Sequence, residues 1–83
     1  MNFEYALQLI KQGRIVQRSG WNGKGMFLVL VKGYEWSWNK IYALPVKPYL
    51  GSFIAMKTAD DMLVPWLASQ TDILADDWQE FFS

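Results

Sequence analysis

The chain has 83 residues, of which 52% are apolar and 17% aromatic, and its eight basic residues balance eight acidic ones. It contains neither cysteine nor histidine, which excludes disulfides and removes the commonest metal ligands and the commonest general base. A formal net charge of zero argues against duplex nucleic acid, whose affinity comes mainly from neutralising many phosphates, but leaves room for a small anion held by two or three placed cations.

A chain this short forms one domain, taken here as residues 1–83, and buries a modest core that usually needs a further staple. With disulfides and thiolate sites removed, association of copies is the staple that remains. Five Trp, five Phe and four Tyr carry more ring area than one small core can absorb, so some rings are expected at a subunit interface, in a ligand pocket or on the surface. No apolar run approaches the roughly 20 residues of a membrane-spanning helix. Met1-Asn2-Phe3-Glu4 lacks the basic start and apolar stretch of a signal peptide, so the cytoplasm is the expected compartment.

In chain order, Phe3, Ala6, Leu7 and Ile10 recur at helical spacing. Asn2 is placed to cap that helix, Glu4 suits its positive end, and Lys11 with Gly13 closes it. Arg14 to Arg18 reads as a short strand, and Ser19 to Gly25 as a loop with three glycines. Met26 to Val31 is a continuous apolar run expected to be a strand covered on both faces. Lys32-Gly33 makes a turn, and Tyr34 to Asn39 alternates strictly, with Tyr34, Trp36 and Trp38 on one face. Ile41 to Gly51, with Pro45 and Pro48, reads as a crossing loop. Ser52 to Lys57 is a further strand, and Met62 to Trp66 is one that Pro65 confines to an edge or ends. Ser69-Gln70-Thr71-Asp72 is a capping pattern for a short helical turn, and Trp78 to Phe82 alternates as a closing strand. The sum is an α+β domain: one N-terminal helix with a mostly antiparallel sheet of about five short strands.

The chemistry of catalysis is not visible in these residues. Asp60-Asp61 and Asp76-Asp77 are sequence neighbours that do not face each other, and they read as solvated turn residues. Serines 19, 52 and 69 have no histidine partner, and Gly20 to Gly25 lacks the spacing and the Lys-Ser/Thr ending of a phosphate loop. Two loops are suggestive as binding elements. In Trp21-Asn22-Gly23-Lys24-Gly25 an aromatic plate adjoins an amide, flexible backbone and a cation, so Trp21 could stack on a base, Asn22 read its edge and Lys24 meet phosphate. The same letters also make a good hairpin turn beside a core Trp21. In Val64 to Asp72, Trp66 stands near Ser69, Gln70, Thr71 and Asp72, which could serve a sugar and a base or simply cap a helix beside a core Trp66.

Together, Gly20-Trp21-Asn22-Gly23-Lys24-Gly25-Met26-Phe27, Met56-Lys57-Thr58-Ala59-Asp60 and the long run from Val64 to Trp78 resemble a family of small phage and prophage proteins, the second type of Thoeris anti-defence protein. The resemblance spans the chain apart from about Lys32 to Gly51, and it departs at Asp60-Asp61, where the family commonly has Asp-Gly. It implies a non-catalytic homo-oligomer, typically a tetramer, with pockets where subunits meet and no cofactor. It implies capture of cyclic ADP-ribose isomers made by bacterial Toll/interleukin-receptor-type enzymes, held intact in the host cytoplasm. Carried onto this chain, Trp21 and Trp66 become stacking plates, and Asn22, Ser69, Gln70 and Asp72 read base and ribose. Lys24 and Arg18 face phosphate, with Lys57 a secondary candidate. The alternative is a phage or prophage interaction module that binds a host protein or another cyclic oligonucleotide.

Overall fold

Asn2 begins the chain's helix as its side chain predicts: extended backbone, with the amide oxygen accepting from the Tyr5 N–H at 3.1 Å. Helix α1 runs Phe3–Lys11, with Glu4 in its first turn and Lys11 in its last, each at the end of the helix dipole that favours its charge. It stops at Gly13, whose φ of 84° is left-handed. The Gly13 N–H donates to Ile10 O at 3.0 Å and the Arg14 N–H to Leu9 O at 2.9 Å, so two of the helix's last carbonyls find partners. This computed structural model describes residues 1–21, 25–33 and 51–82.

Five strands follow among the described residues: β1 (Val16–Arg18), β2 (Phe27–Val31), β3 (Phe53–Lys57), β4 (Leu63–Pro65) and β5 (Trp78–Glu80), with a one-turn helix α2 (Gln70–Leu74) between the last two. They form one sheet in the order β4-β3-β2-β1-β5, every pairing antiparallel. The expected α+β class holds. So does the place of Pro65, which sits on the edge strand β4 opposite Ala55, where a missing N–H costs least. The strand expected over Arg14 to Arg18 is ordered as a ladder only from Val16, although Phe81 N still donates to Ile15 O at 2.8 Å. The alternating stretch Tyr34 to Asn39 and most of the expected crossing loop lie outside the described residues.

The register assigns the faces. Leu28 lies opposite Met56 and Leu30 opposite Ile54, so these four share the face that α1 covers. Ala6 and Ile10 from the helix meet Val16, Leu28 and Trp78 from the sheet in a fully buried cluster. The face opposite carries Phe27, Val29 and Val31, and all three remain partly exposed. The apolar run of β2 is thus a strand, as expected, but its second face is only partly covered within the described chain. There Phe27 packs on Phe81 with ring centroids 5.0 Å apart.

Between β3 and β4 the chain turns through Asp60-Asp61, and Asp61 holds a left-handed φ of 66°. Aspartate is one of the few residues other than glycine that adopt this conformation readily. Thr58 organises the turn: its backbone N–H donates to Met62 O at 2.8 Å, and its hydroxyl accepts from the Met62 N–H at 3.0 Å. Lys57 reaches across to Asp61 at 2.7 Å.

Candidate ligand-binding site

Trp78 is the residue around which the candidate side chains gather. It is the first residue of β5, only 1% exposed, and it stands opposite Arg18 of β1 on the helix-covered face. Its ring meets Phe3 at 5.3 Å, Trp21 at 5.3 Å in a nearly perpendicular arrangement (81°), and Trp66 at 6.1 Å (84°). Phe3 also packs on Trp66 at 5.8 Å. Edge-to-face contacts of this kind contribute beyond the area they bury. Both candidate plates, Trp21 and Trp66, therefore lean on the core with one part of the ring while staying half-buried. The core reading and the ligand reading of these tryptophans are compatible.

α2 supplies the polar half of the cluster. Ser69 caps it, its hydroxyl accepting from the Asp72 N–H at 3.0 Å, as the sequence pattern predicts. That cap fixes Asp72, whose backbone carbonyl accepts from Trp78 Nε1 at 2.8 Å. The Asp72 carboxylate accepts from Arg18 Nη1 at 2.8 Å and from Trp21 Nε1 at 3.3 Å. Gln70 lies exposed in the first turn of α2. Asn22 and Lys24 lie outside the described residues.

Arg18 is held on two sides. Besides Asp72, it donates through Nε to Asp77 Oδ1 at 2.7 Å and through Nη2 to Asp77 Oδ2 at 3.4 Å. Three of a guanidinium's five N–H donors are thus taken by carboxylates, and one cation faces two anions. The consequences for titration follow the contacts. The bonds to Asp77 and then Asp72 raise Arg18 above its ordinary value, with burial opposing them. Burial alone would push Asp72 up, but hydrogen bonds from Arg18, the Ser69 hydroxyl and Trp21 outweigh it and hold that carboxyl below its ordinary range. Asp77 is lowered first by Arg18, against some desolvation, with help from the Gly20 N–H.

Asp77 corrects the reading of Asp76-Asp77 as solvated turn residues: its side chain is 31% exposed and ion-paired. No local signal marks it, because its partner lies 59 residues earlier. Trp78 was likewise legible only as a strand residue. Lys57 sits apart, paired with Asp61 and 5.9 Å above the Phe27 ring. Its Nζ would lie 3.1 Å from a Cβ at Gly25, so the far end of the glycine loop passes close to it. Arg18, Trp21, Trp66, Ser69 and Asp72 therefore come together at the β1–β5 end of the sheet, with Gln70 on the adjoining helix. Among the described residues no three acidic, cysteine or histidine side chains are grouped to hold a metal, and no helix is long and apolar enough to cross a membrane.

Fold and cluster define a small α+β domain whose distinctive site is built from indole rings and ion-paired carboxylates and lacks, among the described residues, a metal-binding group. The profile of the Thoeris anti-defense 2-like domain matches residues 1–81. A protein of Bacillus phage SP01 named Thoeris anti-defense 2 is 43% identical over 84 residues, covering 94% of this chain and 91% of that protein. The chain belongs to the Thoeris anti-defense 2-like family, and its role is one of phage anti-defence.

Proposed function

We propose that this protein binds a cyclic ADP-ribose-type signalling nucleotide and holds it without cleaving it, so that Thoeris signalling is deprived of its messenger. The observation that carries this reading is the family match along the whole chain. The clustering of Trp21, Trp66, Arg18, Ser69 and Asp72 around Trp78 supports it. A purine stacks on Trp21 or Trp66, while Asn22, Ser69, Gln70 and Asp72 read base and ribose. Lys24 faces the pyrophosphate, joined by Arg18 on its tether of two carboxylates. The protein acts in the host cytoplasm as a homo-oligomer, a tetramer by the family resemblance, with exposed Leu67, Leu74 and Phe82 among the apolar side chains available to cover.

The energetics suit a sponge. Stacking is worth about 1–3 kcal/mol per base and a charge-assisted contact about 1.5–3 kcal/mol. Two of each amount to roughly 5–12 kcal/mol before association costs, and micromolar binding needs about 8 kcal/mol. The role requires no transition-state machinery. Titrating the purified protein with glycocyclic ADP-ribose isomers by calorimetry, then heat-denaturing the complex, tests the reading. Tight binding with intact nucleotide recovered supports it. Recovery of a cleaved product makes the protein an enzyme, and no binding of any isomer moves the assignment to another cyclic oligonucleotide or to a host protein docked on the exposed leucines.

A further inference from the structure

Asp77 contacts no part of the ligand in the reading above, yet it grips the start of the Trp21 loop at three consecutive residues. Its carboxylate accepts from Arg18 Nε at 2.7 Å, from the Ser19 hydroxyl at 3.4 Å and from the Gly20 backbone N–H at 2.8 Å. Its backbone carbonyl accepts from the Ser19 N–H at 3.0 Å. The turn then closes as the Trp21 N–H donates to Arg18 O at 3.3 Å, and the Trp21 indole N–H ends on Asp72. Arg18 ties the two carboxylates together. Gly20 fits this arrangement through lack of a side chain: a Cβ there would lie 2.7 Å from Asp77 Oδ2, the oxygen that accepts its N–H. Arg18 restrains that carboxylate from moving aside.

We propose that Asp77 is a positioning residue for ligand capture, presetting the Ser19–Gly20–Trp21 turn so that the Trp21 indole is in place before a ligand arrives. The inference rests on the reading of Trp21 as a stacking plate. A loop that must be ordered at the moment of binding weakens affinity, and one already ordered does not. If the turn were preset in only about a tenth of the molecules without Asp77, the apparent Kd would rise about tenfold.

The test compares Asp77→Ala, Asp77→Asn and Gly20→Ala with the parent chain, by calorimetry with glycocyclic ADP-ribose and by amide hydrogen exchange without it. Asp77→Ala is expected to weaken binding about tenfold and to speed exchange at the Gly20 amide, while the amides of β2 and β3 stay as protected as in the parent. Asp77→Asn should recover much of the affinity, because its side-chain oxygen still accepts from the Gly20 N–H. Gly20→Ala should reproduce the loss with Asp77 present, since it perturbs the same contact from the other side. Equal loss of protection across β2 and β3 overturns the proposal in favour of a general structural role, as does unchanged affinity in Asp77→Ala. If the parent chain binds no isomer, the functional reading fails, and the exchange arm separately supports or overturns a turn preset by Asp77.

Discussion

Replacing Trp78 with phenylalanine tests whether the site depends on the core in the way the geometry implies. The indole is 1% exposed, touches Phe3, Trp21 and Trp66, and donates to the Asp72 carbonyl at 2.8 Å. Phenylalanine removes two buried ring carbons, about 0.8 kcal/mol each, and a hydrogen bond worth about 1 kcal/mol net. The expected loss is about 2.5 kcal/mol. For a domain of this size each kcal/mol moves the melting temperature by about 4–8 °C, so Trp78→Phe should melt about 10–20 °C lower. Circular dichroism melts at one fixed protein concentration measure this, the concentration being held because association adds to apparent stability. A fall below about 4 °C would refute the reasoning, since it would mean that the indole neither fills the space between the three rings nor holds α2 through Asp72.

Other substitutions test the remaining supports. Ser69→Ala removes the cap of α2 and should cost about 1 kcal/mol in thermal melts, whereas Ser69→Thr should keep most of it; equal melting of Ser69→Ala and the parent would deny the cap any weight. At Asp61, with its φ of 66°, valine should cost about 1–2 kcal/mol. Glycine there should change stability by less than about 1 kcal/mol, relief of the backbone being set against a lost surface ion pair with Lys57. Identical melts for the two variants would contradict the left-handed assignment. Asp72 and Asp77 both have folded pKa values below the ordinary 3.8, so the unfolded chain binds more protons in that range. Their contribution is present at neutral pH and above the ordinary value, and it is lost as acid carries the pH down through the folded values. Melts from pH 7 to pH 2.5 should show the fall, and Asp72→Asn should flatten it; an equally steep fall in that variant would place the acid sensitivity elsewhere.

The helix and its limits were legible in the sequence because each signal is local: Asn2 caps within three residues, and Gly13 supplies the left-handed backbone that the last carbonyls need. The same holds for Ser69 and Asp72, whose capping bond spans three residues, and for Pro65, which only an edge strand accommodates easily. The continuous apolar run identified β2 as a strand but could not show what lies across from its second face, because such a run records propensity alone. Trp21 and Trp66 stood out by their polar neighbours, yet nothing nearby told that both would lean on Trp78. Asp77 was missed for the same reason. An Asp-Asp pair before a strand looks like any solvated turn until the fold brings Arg18 beside it.

The pairing of β1 with β5 has a kinetic consequence. Val16 lies opposite Glu80, whereas β3 and β4 are joined by a short turn. Closing the longer loop has the larger entropy cost, and non-local strand pairs tend to form late. A nascent or truncated chain that ends before Asp77 can still form the β3–β4 hairpin, but it has no carboxylate to anchor Arg18 from β5's side and no Trp78 for the indoles to lean on. Assembly of the cluster therefore reports that β5 has paired with β1, and a fragment cleaved before Asp77 would lose it even where part of the sheet survived.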